Sequence, residues 1–173
     1  MKARLAAMGM VLVGMASCAH MAGMEEKEKT YGKNPPVIGQ SFAPDRLKAG
    51  DLWKIYLKAS DPDGDMEAIL AAVEQPGIGA YPVSIIKIKG EKGKELSGYV
   101  YLNTRGQRGD DFLVNQKLTV SIQIRDTAGH ASQPIVHSVL LLARQSEESP
   151  PAGVFAEGAL GPIMVVLRPV SPR

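Results

Sequence analysis

The stretch KLTVSIQIRD, residues 117–126, alternates without a break. Leu118, Val120, Ile122 and Ile124 are aliphatic, and Thr119, Ser121, Gln123 and Arg125 between them are polar. Successive side chains of a strand point to opposite faces, whereas a helix places residues three and four apart on one face. This segment can therefore bury one side only as a strand, and a half-buried strand needs partners. Two more stretches repeat the pattern. DLWKIYLKAS (51–60) sets Trp53, Ile55, Leu57 and Ala59 against Lys54, Tyr56 and Lys58. LSGYVYLN (96–103) sets Leu96, Val100 and Leu102 against Ser97, Tyr99 and Tyr101.

Shorter apolar runs fill the gaps: PVIGQSF (36–42), YPVSIIKIKG (81–90) and PIVHSVLLLA (134–143). MEAILAAVEQ (66–75) has the Ala, Leu and Glu content of a helix, but it sits between two turn signals and is assigned to a strand. The 18 glycines and 12 prolines punctuate these runs as turns. Six or seven short strands over about 110 residues predict an all-β, immunoglobulin-like antiparallel β-sandwich across residues 34–145. Residues 146–173 then read as a Pro-rich linker followed by an apolar strand or tail.

The N-terminus has a different character. Lys2 and Arg4 precede an uncharged, largely apolar run, Leu5–Ala16. At about 1.5 Å per residue such a helix reaches roughly 18 Å, short of a hydrocarbon core of about 30 Å. A secretory signal over residues 1–17 is the better reading. The next residue, Cys18, is the only cysteine in the chain, so no intramolecular disulfide can form. Met15-Ala16-Ser17-Cys18 resembles the lipobox of bacterial lipoproteins, with Met15 where that family usually has Leu. The resemblance implies acylation of Cys18 and a membrane anchor through the N-terminal lipid. Ala19, where an Asp would favour the inner membrane, implies sorting to the outer membrane. Residues 19–33 show no apolar period, so residues 18–33 read as the acylated Cys and a flexible tether.

Removing residues 1–17 takes away Lys2 and Arg4 and leaves 18 basic against 18 acidic residues. A chain so balanced lacks the basic field that binds nucleic acid.

DPDGD is the strongest ligand signal. Asp61, Asp63 and Asp65 stand at alternate positions and Gly64 permits a tight bend. Three converging carboxylates would suit Ca²⁺, which takes six to eight oxygens, but aspartates in turns also cap backbone N–H groups. Both readings stay open. A strand followed by DPDGD resembles the B–C turn of bacterial immunoglobulin-like and cadherin-like extracellular domains. RDTAGHAS (125–132) is similar to their F–G hairpin, with His130 where Asn is usual. The resemblance covers residues 34–143 and implies a fold rather than an activity. Calcium sites in cadherins also draw on acidic motifs from a neighbouring domain, and none is identifiable here.

Other features are less pointed. Lys87, Lys89, Lys92 and Lys94, with Glu91 and Glu95, make either a cationic finger for an anionic envelope polymer or a solvated hairpin that deters edge pairing. His20, His130 and His137 have no ligand spacing. The motifs G-x-S-x-G, H-E-x-x-H, C-x-x-C and the P-loop are absent. Aromatics are sparse, and Trp53 belongs on the apolar face of its strand. The expectation is a non-catalytic envelope lipoprotein, without cofactor apart from the open calcium question, that binds another envelope protein or polymer. The alternative is a carbohydrate-binding or accessory domain of a polymer-processing system, which an aromatic platform or an acidic cleft would favour. Finally, PIVHSVLLLA is apolar on both faces. Residues 162–168 are expected to pair with or pack across the sandwich as an added strand that covers it.

Overall fold

The computed structural model describes residues 14–89, 94–106, 109–144 and 148–170. A helix, α1 (Gly14–Tyr31), is followed by ten strands: β1 (Val37–Phe42), β2 (Arg46–Lys48), β3 (Leu52–Ser60), β4 (Met66–Gln75), β5 (Gly79–Ala80), β6 (Ser84–Lys87), β7 (Glu95–Asn103), β8 (Lys117–Asp126), β9 (Ile135–Leu142) and β10 (Ala159–Ile163). They form two sheets. One has the order β1-β3-β7-β10, and the other β2-β9-β8-β4, with β5 and β6 both paired to the far side of β4. This is an immunoglobulin-like β-sandwich, in which the first strand is split so that β1 joins one sheet and β2 the other.

The alternation read from the sequence sets the core. Leu118, Val120, Ile122 and Ile124 of β8 are fully buried, as are Trp53, Ile55 and Leu57 of β3 and Val100 and Leu102 of β7. Trp53 lies opposite Leu102 and Ile55 opposite Val100. The indole Nε1–H of Trp53 donates to the carbonyl of Pro44, 3.0 Å away, so its one polar atom is satisfied inside the core. MEAILAAVEQ is a strand despite its helix-forming composition. Ile69 and Val73 pair with Ile124 and Val120 of β8, and packing between sheets outweighs local propensity.

Three expectations need correction. The sandwich is not antiparallel throughout, because β2 runs parallel to β9 and β10 parallel to β7. A parallel partner needs a long return path, and the whole stretch between Asn103 and Ala159 supplies it for β10. Residue 145 does not end the packed unit. Beyond it, Glu148 accepts a hydrogen bond from the Asp45 N–H, and Phe155 packs on Tyr56. Residues 18–33, expected as a flexible tether, are helical as far as Tyr31, where α1 ends. Ala, Met, Glu and Lys dominate there, and all are good helix formers. Residues 1–13, most of the expected signal segment, lie outside the described residues. Among the described residues no helix is long and apolar enough to cross a membrane.

The C-terminal run does add a strand, at a different place from the one expected. β10 extends the four-stranded sheet beside β7, and Leu167 bridges to Gly106 further on. Ile163, Val165 and Leu167 turn into the core, while Met164 and Val166 face outward. The outer face of β9, in the opposite sheet, is not covered: Val136 is 61% exposed and Leu140 37%. The space between the sheets could still take three more aliphatic side chains, and filling it removes more apolar area from water than capping an outer face.

Candidate functional site

One end of the sandwich gathers most of the buried charge. There the β3–β4 turn carries DPDGD, the β8–β9 hairpin carries DTAGH, and the C-terminal end of α1 rests on both.

The three sequence-predicted aspartates separate into two environments. Asp61 and Asp65 are buried, 1% and 8% exposed. Asp61 Oδ1 accepts the N–H of Asp63 at 3.0 Å, the turn-capping role weighed from the sequence. Asp65 Oδ2 accepts the N–H of Thr127 at 3.0 Å and so ties the turn to the hairpin. Asp63 points the other way. It accepts the backbone N–H of Asn34 at 2.8 Å and the Asn34 side-chain amide at 3.0 Å. These bonds hold its carboxyl below the usual carboxylate range. Gly32, at φ +103°, ends α1 with its N–H on the carbonyl of Glu28, and a side chain there would fall on the Asp63 carboxylate.

The third buried acid is one the sequence reading passed over. Asp126, 1% exposed, closes the hairpin by accepting the N–H groups of Gly129 and His130 at 2.6 and 2.7 Å. Burial, then the charges of Asp126 and Asp61, push the Asp65 carboxyl up. Among the described residues, two buried side-chain oxygens have no hydrogen-bond partner, Asp61 Oδ2 and Asp65 Oδ1. Among the described residues, no three acidic, histidine or cysteine side chains are grouped so as to hold a metal ion. The Asp63 carboxylate is engaged by Asn34, and Asp65 by the Thr127 N–H.

His130 stands over this cluster. Its Nδ1 is 2.9 Å from Asp126 Oδ2, and its Nε2 is 3.2 Å from Glu28 Oε1 on α1. Glu28 also meets Lys33 Nζ at 3.7 Å. The clue in the sequence was the i, i+4 spacing of Asp126 and His130, but nothing local showed that Glu28 would complete the set. The other histidines lie elsewhere. His20 is on α1, and His137 of β9 is 3.0 Å from Ser41 Oγ, its pKa lowered by burial. Of the lysine-rich segment, residues 90–93 lie outside the described residues. The carbonyl of Lys94 accepts the N–H of Asp61, which ties the end of that segment to the same turn.

A second feature was hidden by the sparse aromatic count. Phe42, Tyr56, Tyr99, Tyr101 and Phe155 meet on the outer face of the four-stranded sheet. Tyr56 is at the centre, 5.3 Å from Tyr99 and 5.7 Å from Phe155, and its hydroxyl donates to Glu157 at 3.1 Å. The ring planes are tilted by 49° to 57° from one another. Such tilted packing sets the rings against one another at angles rather than in one plane.

No protein-family model matches the chain, and no curated protein matches it. Among solved structures, the chain is similar to the PKD domain of an M14-like peptidase from Thermoplasmatales archaeon SCGC AB-540-F20, at 17% sequence identity and a TM-score of 0.38. The match covers 64% of this chain and 99% of that one.

Proposed function

We propose that this chain is a lipid-anchored β-sandwich of the bacterial cell envelope, sorted to the outer membrane, that binds or braces another envelope protein or polymer and has no catalytic role. The observation that carries the reading is a continuity. Cys18, preceded by Met15-Ala16-Ser17, lies on the helix whose far end is fastened to the sandwich through Glu28 and, just beyond it, Asn34. From Cys18 to Tyr31 such a helix rises about 20 Å. It would hold the sandwich clear of the headgroups as a strut. Several acyl chains on one residue suffice for firm anchoring, since each buried CH₂ contributes about 0.8 kcal/mol.

The acids and the histidine at the loop end support a binding rather than a catalytic role, because they are engaged in fastening turns and helix to one another. The tilted aromatic cluster, with Tyr56 buried beneath Phe155, speaks for the binding or bracing role over the carbohydrate-binding alternative.

Mass spectrometry of the protein extracted from membranes tests the anchor. The expected N-terminus is Cys18 bearing acyl chains, and Cys18→Ala should leave the chain unacylated and out of the membrane fraction. A soluble product with a free Cys18 thiol refutes the proposal.

A further inference from the structure

Both ring nitrogens of His130 face carboxylates, Asp126 at the end of β8 and Glu28 on α1. An ionised carboxylate only accepts hydrogen bonds, and a neutral imidazole carries a single N–H. Two simultaneous bonds therefore require the imidazolium. The two partners are unequal. Asp126 is buried and locked by the N–H groups of Gly129 and His130, whereas Glu28 belongs to a surface helix and is one-fifth exposed. If the ring loses a proton, the remaining N–H stays with Asp126, and Glu28 is left opposite a lone pair. The contact that fails is the one to the helix.

We propose that His130 is a pH-sensitive clasp that seats α1 against the sandwich when protonated and lets it swing away when neutral. The proposal does not depend on acylation of Cys18. Other charges around the ring are consistent with this direction. Asp63, on the β3–β4 turn, feels the His130 charge, and Lys33 neutralises part of Glu28. Lys27 and Arg125 line the cavity of about 610 Å³ between α1 and the hairpin, and Arg125 is paired with Glu67 at 3.3 Å. Burial works against the charged ring, but the hydrogen bonds and charges of Asp126 and Glu28 outweigh it, so the His130 pKa is raised. With a raised folded-state pKa, the docking is complete below the ordinary histidine value of about 6.5 and is lost as pH rises through the raised value. The pivot is set by what remains. Asn34 stays bonded to Asp63 through its backbone and side chain, so α1 turns about Gly32–Asn34 and stays tethered there.

The test uses the full chain, with the His130 ring followed by NMR and amide hydrogen exchange measured over residues 24–31, from about pH 5 to about pH 9. Exchange is expressed as protection relative to the intrinsic rate at each pH. The expected result is a His130 pKa above about 6.5 and a fall of about tenfold in helix protection as the ring titrates. Glu28→Gln, whose side-chain NH₂ can donate to the lone pair of a neutral ring, should lower that pKa and flatten the pH dependence. His130→Asn should leave the helix weakly protected at every pH; the hairpin itself survives this change, because its bonds to Asp126 use backbone N–H groups. Helix protection that stays level through the titration, or a His130 pKa that Glu28→Gln does not move, overturns the proposal.

Discussion

The side-chain amide of Gln75, fully buried at the end of β4, donates to the carbonyl of Arg168, 2.8 Å away and 93 residues later in the chain. Tyr81 completes the link. Its hydroxyl donates to Gln75 Oε1 and accepts the N–H of Arg168, and the Arg168 guanidinium lies over its ring. A buried amide with all these partners stabilises the fold, but the same amide left without them costs the desolvation of each orphaned group.

Truncation after Gln145 should therefore be severe. It removes Ile163, Val165 and Leu167 from the core, at roughly 1.5–3 kcal/mol each, and leaves Gln75 buried without Arg168. The expected outcome is a cooperative melt lost or lowered by tens of degrees, with dye-binding apolar surface exposed. Leu167→Ala, a gentler version, should cost about 2–5 kcal/mol by denaturant titration. A truncated domain that melts like the full chain would show that this segment is not part of the core.

Much of this fold was legible because a strict period of two leaves little choice. The alternation of β8 and β3 named the core-facing residues correctly, down to Trp53, although Tyr56 on the opposite face of β3 is buried as well. The placement of the C-terminal strand was not legible. An apolar run announces that it will be buried, but Leu167 carries no mark that tells β7 from β9 as its neighbour. The loop end was half legible for the same reason. DPDGD announced a turn, yet Asp63 is held by Asn34 and Asp65 by the Thr127 N–H, partners that reach the site from separate parts of the chain. The aromatic cluster is an assembly of single rings from β1, β3, β7 and the segment after residue 148, and none of them was conspicuous alone.

Asp65→Asn should stabilise the protein near neutral pH. The folded-state pKa of Asp65 is raised above the ordinary 3.8 by burial and by Asp126 and Asp61. The folded state thus holds this proton more tightly than the unfolded one, and stability falls as pH rises from about 4 through the raised value. An amide keeps an oxygen for the Thr127 N–H and removes the charge. The gain in melting temperature over wild type should be largest at neutral pH and shrink toward pH 4. In wild type, millimolar Ca²⁺ should barely move the melting temperature, because Asp63 is turned away from Asp61 and Asp65. A calcium-dependent rise that Asp65→Asn abolishes would instead assign the two unpartnered oxygens to a cation.

Tyr56 should mark the onset of alkaline unfolding. Burial and then its hydrogen bond to Glu157 push its pKa up to about 12. The unfolded chain ionises this hydroxyl near 10, so stability is intact below that value and declines between it and about 12. Ultraviolet titration should show one tyrosine ionising late and together with unfolding. Tyr56→Phe should remove that late step and cost about 1 kcal/mol at neutral pH through the lost bond to Glu157.

The position of β10 has a consequence for how the molecule comes into being. Strands β1 to β9 are all present once residue 142 has been made, but β10 and three of the side chains between the sheets arrive only with residues 159–167. A chain that emerges N-terminus first stays unsealed along β7 until that point, with apolar interior open to any chaperone or protease nearby. Completion of the polypeptide and closure of the interior become nearly one event. A product cut short by ribosome stalling or proteolysis would carry its own signal for removal.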